Sequence, residues 1–135
     1  MRTRELERCL REWKKLLRLS DWEITITRKK RKSSEDPLAL SSISFERKVS
    51  RISFWFPHVD KDGSTVDPRS TLVHELLHIF YDPWYPYDKE KPLNKPRVLL
   101  IEHSVESLAL ALYDLRYKKN VHPRGFGNQG TEGGN

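Results

Sequence analysis

Five consecutive residues, His74-Glu75-Leu76-Leu77-His78, combine two imidazoles and a carboxylate at a spacing that can bind a metal ion and move a proton. On a helix, residues four apart lie about 40° apart around the axis, so both imidazoles can grip one zinc ion. Glu75 is then placed to reach an attacking water rather than the metal, as a general base must. Shuffling a chain of this composition would give the motif roughly 1–2% of the time, so its context has to carry the argument. Val73, Leu77 and Phe80 make an apolar stripe with His74 and His78 at its borders and Glu75 farther round. The plain alternative is a surface helix with two half-buried histidines and a solvated acid.

A catalytic zinc takes three protein ligands and keeps one position for water. The third ligand is sought in the last helix, which carries Glu102, His103 and Glu106 beside the apolar residues Val98, Ile101, Val105, Leu108 and Leu112. With Val105 at the origin, Glu102 falls at about 60°, Glu106 at about 100° and His103 at about 160°. Glu102 is the acid nearest the apolar seam, and an acid there needs a partner or a metal. Glu106 is the alternative third ligand or an outer partner of a ligand histidine. Tyr85, Tyr87, Arg97 and His103 are candidate donors to a developing oxyanion.

The elements that must position these groups are legible as pattern. Leu6, Leu10, Trp13 and Leu17 fall on one face of an amphipathic helix over residues 4–19. Residues 22–27 alternate as a strand, and 38–46 and 51–56 read as two more that form a hairpin, though no Gly or Asn marks its turn. Residues 51–56 could be an exposed edge along which a peptide pairs. Asp67-Pro68 predicts a helix start, with Asp as N-cap, and Pro83 its end. Four prolines within residues 83–96 predict irregular chain, and a last helix is expected over 97–119. Residues 120–135 are Gly-rich and expected to be disordered.

Length and composition narrow the classes. At 135 residues and 36% hydrophobic content the chain supports one domain. No run of 18 apolar residues suggests a membrane span, and no apolar leader follows the charged start, so a cytoplasmic protein is expected. The single cysteine, Cys9, excludes an internal disulfide and reads as a packed thiol. Asp60-Lys61-Asp62-Gly63 resembles a calcium loop but lacks the closing acid, Thr71 standing there instead, and reads as a turn. The net charge of +6 is concentrated in residues 1–32, with 12 Lys/Arg against 5 Asp/Glu. That excess allows nucleic acid as a partner, although no single residue is assigned to such contacts.

With these residues in hand, the chain resembles the minimal zincin-like metallopeptidases common in phage and prophage genomes and related to the ImmA/IrrE group. The resemblance rests on the first helix, "DWEITI", the hairpin, "STLVHELLHIF" and "IEHSVESLALALYDL", about residues 6–115. It implies an α+β zincin-like domain over residues 1–119: an N-terminal helix, a small three-stranded, mainly antiparallel sheet, the HExxH active-site helix and a C-terminal helix. It further implies His74 and His78 as Zn2+ ligands, Glu75 as general base and Glu102 as third ligand, in a gluzincin-type arrangement. A peptide or protein would be the substrate, and host cytoplasm the setting if the chain is phage-encoded. Neither a third His at metzincin spacing nor a downstream Met is present. The competing expectation is a nucleic-acid- or protein-binding module with a structural or non-functional zinc site.

Overall fold

The computed structural model describes residues 1–118; the Gly-rich segment 120–135 lies outside the described residues. Helix α1 spans Thr3–Leu16. The Glu5 carboxylate accepts the Arg2 backbone N–H at 3.0 Å and so caps the helix start. At the other end Arg18 takes the left-handed conformation (φ 60°), and the Leu19 N–H returns to the Lys14 carbonyl at 2.7 Å. The face carrying Leu6, Cys9, Leu10 and Trp13 is buried, which confirms the amphipathic reading.

Three strands follow: β1 (Glu23–Lys30), β2 (Ala39–Ser44) and β3 (Val49–Phe56). Lys48, at φ 54°, supplies the left-handed residue of the β2–β3 turn that no Gly or Asn announced. The sheet order is β1-β3-β2. β2 pairs antiparallel with β3, but β1 pairs parallel with β3 over eight residues, so the sheet is mixed rather than mainly antiparallel. β3 is therefore central, and the expectation that residues 51–56 form an edge is wrong. The physical reason is in its composition: Ile52 and Phe54 are fully buried, and a central position covers them as an edge would not. Among the described residues, the outer strands are β1 and β2.

Helix α2 (Pro68–Tyr81) starts as its sequence indicates, with the Asp67 side chain accepting the Arg69 N–H at 2.9 Å and Pro68 in the first turn. Two 3-10 turns, Asp82–Trp84 and Pro92–Asn94, bracket the proline-rich stretch before helix α3 (Lys95–Tyr117). The core joins α1 and one sheet face to Leu72, Val73, Leu76 and Leu77 of α2, and to Ile101, Val105 and Ala109 of α3. Two stripe residues depart from expectation: Phe80 is 45% and Leu108 39% exposed. The architecture is α+β, and no described helix is long and apolar enough to cross a membrane.

Candidate metal centre

α2 lies between β2 and α3, and this position decides which of its side chains meet which partners. His74 and His78 are half-buried on the side toward α3. The Nδ1 of His74 faces Glu106 Oε1 at 2.8 Å, and the Nδ1 of His78 faces Asp82 Oδ1 at 2.7 Å. An ionised carboxylate only accepts, so each Nδ1 carries a hydrogen, and Nε2 is the nitrogen that offers a lone pair when the ring is neutral. Those two Nε2 atoms face one another at 3.3 Å. Tetrahedral zinc with Zn–N bonds of about 2.0–2.1 Å separates two nitrogens by about 3.3 Å, so the histidine pair has the spacing of a zinc site.

Glu102 of α3 completes the set. Its Oε1 lies 3.9 Å from His78 Nε2, and ligand atoms of His74, His78 and Glu102 all lie within 4.8 Å of one another. The acid edge is longer than the histidine edge, and the Glu102 side chain is 47% exposed. Glu102 thus projects from the rim of the α3 seam instead of being buried in it. Glu106 does not join the trio and instead holds the far nitrogen of His74, the outer role open to it from sequence. Burial by itself would lower the His78 pKa. The Asp82 hydrogen bond and charge, with the charges of Glu75 and Glu102, outweigh it and raise the value. The same negative field attracts a cation.

Glu75 is only 9% exposed, not solvated. Its Oε1 accepts a hydrogen bond from the Ser41 hydroxyl on β2. Of the four proposed oxyanion donors, only Tyr85 stands at the site, its ring stacked on His78 with centroids 6.2 Å apart. Tyr87, Arg97 and His103 are exposed and do not line the cleft. That cleft has two hollows. One, of about 300 Å³, is lined by Ser41, Glu75, His78, Tyr85 and Glu102. The other, of about 260 Å³, is lined by Ala39, Val66, His74, Glu106 and Leu110 among others. Sequence reasoning missed Ser41 and Asp82. Asp82 carried a signal, since it lies four residues after His78 at the end of the same helix; Ser41 carried none.

No family model, curated protein or solved structure matches the chain. The assignment of chemistry therefore rests on geometry. Among the described residues, two imidazole nitrogens and one carboxylate could hold a metal ion, with a second, buried carboxylate alongside.

Proposed function

We propose that the chain is a zinc-dependent peptidase of zincin-like type, with His74, His78 and Glu102 as ligands and Glu75 as general base. The observation that carries this reading is the 3.3 Å approach of two Nε2 atoms, their rings oriented by Glu106 and Asp82, beside the buried Glu75. Two imidazoles and one carboxylate with a vacant fourth position suit catalytic zinc. When bound, zinc lowers the pKa of a coordinated water and polarises a carbonyl.

Glu75 takes the proton from the attacking water and delivers it to the leaving amine. The Ser41 hydroxyl orients the carboxylate for that transfer. Tyr85, whose ring stacks on His78, is the side-chain donor assigned to the developing oxyanion. β2 has a free outer edge and carries Ser41, so an extended peptide paired to it would lie along the cleft. The test is metal analysis of purified protein together with mass spectrometry of an unfolded protein substrate after incubation. One zinc per chain and cleavage abolished in Glu75→Gln support the reading. Metal-free protein that stays metal-free with added zinc, or cleavage that persists in Glu75→Gln, overturns it.

A further inference from the structure

Part of the basic excess of the first quarter of the chain lies where the start of α1 meets the end of β1. The Arg28 guanidinium donates to the Met1 carbonyl at 2.9 Å and so joins the start of α1 to the end of β1. It brings the N-cap Arg2 and the first turns of α1, which carry Arg4 and Arg8, near the end of β1, which carries Lys29 and Lys30 with Lys32 just beyond. All six are exposed, and none is in an ion pair among the described residues. Arg31 does not belong to the set. Its guanidinium is spent on the carbonyls of Ser33, Asp36, Pro37 and Pro57, where it clamps the loop after β1. Acids lie nearby too: Glu5 accepts the Arg2 N–H, and Asp36 accepts the backbone N–H groups of Lys32 and Ser33, but they are fewer than the cations. The patch keeps a large positive excess.

We propose that this surface binds the phosphate backbone of nucleic acid without reading its sequence. A polyanion of evenly repeated charge rewards several scattered cations, because each phosphate neutralised releases a counterion. Base readout is not provided for. The two aromatic rings beside the end of β1, Phe56 and Trp55 of the central strand, are covered by Arg28 at 3.7 Å and Lys29 at 5.4 Å from their centroids. A lipid surface is the poorer fit, since α1 buries Leu6, Leu10 and Trp13 in the core and has no apolar face to insert. An acidic protein partner would need a desolvated anchor or pocket, and the rings that could serve are covered. β1 and β2 are opposite edges of the sheet. The phosphate surface therefore lies across the sheet from Ser41 and Glu75, and a chain bound to nucleic acid keeps its cleft free.

The experiment is fluorescence anisotropy of the full chain with a labelled random-sequence duplex across a salt series, with and without a chelator. Log affinity is expected to fall linearly with log salt, with a slope of roughly −3 to −5, and the chelator to have no effect. The triple variant Lys29→Ser/Lys30→Ser/Lys32→Ser should lose at least about tenfold in affinity and reduce the slope by up to about 2.7 units. Lys91→Ser/Lys95→Ser, outside the patch, should bind as the parent does. Thermal melts verify folding, and Arg4→Ser/Arg8→Ser takes the place of the triple variant should that one not fold. No binding at low salt, an unchanged slope in the patch variants, or tighter binding to phosphatidylserine vesicles than to the duplex overturns the proposal. None of these outcomes depends on whether the chain cleaves peptides.

Discussion

His74 and His78 present their Nε2 atoms to each other at 3.3 Å while their Nδ1 atoms face carboxylates on opposite sides. Nitrogens held this close share either a proton or a metal ion between them. Bound metal is therefore expected to stabilise the fold by mass action. With zinc at about 100 times its dissociation constant the gain is about 2.7 kcal/mol, or on the order of 10 °C in melting temperature for a domain of this size. Calorimetry of zinc-loaded and chelated protein measures it. His74→Ala should melt at one temperature under both conditions.

Glu102 and Glu106 should separate on metal affinity. Glu102→Ala removes the proposed third ligand and is expected to lose stoichiometric zinc. Glu106→Ala removes only the acceptor behind His74, an effect of roughly 10–100-fold in affinity. Competition titration against a chromogenic chelator reads both. Equal losses would mean that Glu106 also coordinates.

Glu75→Gln keeps the shape of the side chain but cannot take a proton. Zinc content should be unchanged, and any peptide cleavage should fall by at least about 10²–10⁴-fold. Ser41→Ala should cost less, because it removes only the hydroxyl that orients Glu75. Its loss should appear in kcat more than in KM.

His58 offers a pH test away from the metal. Its Nδ1 donates to the Trp55 carbonyl at 3.1 Å, so the Thr71 hydroxyl donates to its Nε2 at 2.8 Å. Burial pushes the imidazole below its ordinary value, with the Trp55 bond opposing, which favours the neutral ring. The folded pKa lies below the unfolded one of 6.5. The contribution to stability is thus complete above pH 6.5 and declines as pH falls through the folded value. In chelated protein, His58→Asn should flatten that acid limb relative to the parent in urea melts at successive pH values. Thr71→Val leaves Nε2 without a donor and should cost about 1–3 kcal/mol at pH 7.

Asp67 caps α2 and also accepts from Arg69 and, at 2.6 Å, from the Tyr113 hydroxyl of α3. Burial would raise its pKa, but the hydrogen bonds of Arg69 and Tyr113 together outweigh it and hold the carboxylate low. Asp67→Ala should cost about 2 kcal/mol or more, beyond a lone cap, in chemical unfolding.

The parts of this site that were readable in the sequence are those with local causes. The Asp67-Pro68 start, the shared face of His74 and His78, and the proximity of Glu102 to the α3 seam all follow from short-range geometry. Strand order does not, since whether β3 pairs with one neighbour or two depends on where a remote strand arrives. The burial of Glu75 was also hidden. A stripe predicts one covered face, yet α2 is packed by β2 as well as α3, so a residue farther round is enclosed too. Tyr85 could not be singled out from Tyr87 because both lie in a proline-rich stretch without periodicity.

The order β1-β3-β2 also dictates how the molecule can assemble. The last strand to be synthesised fills the slot between the first two, which share no hydrogen bonds with each other. Until residues 49–56 have emerged, neither earlier strand has its native neighbour, and a nascent chain cut short of Val49 has no sheet to form. Ser41, on β2, meets Glu75 of α2 in its native setting only once β2 is held by β3, so that contact and the completed sheet belong together.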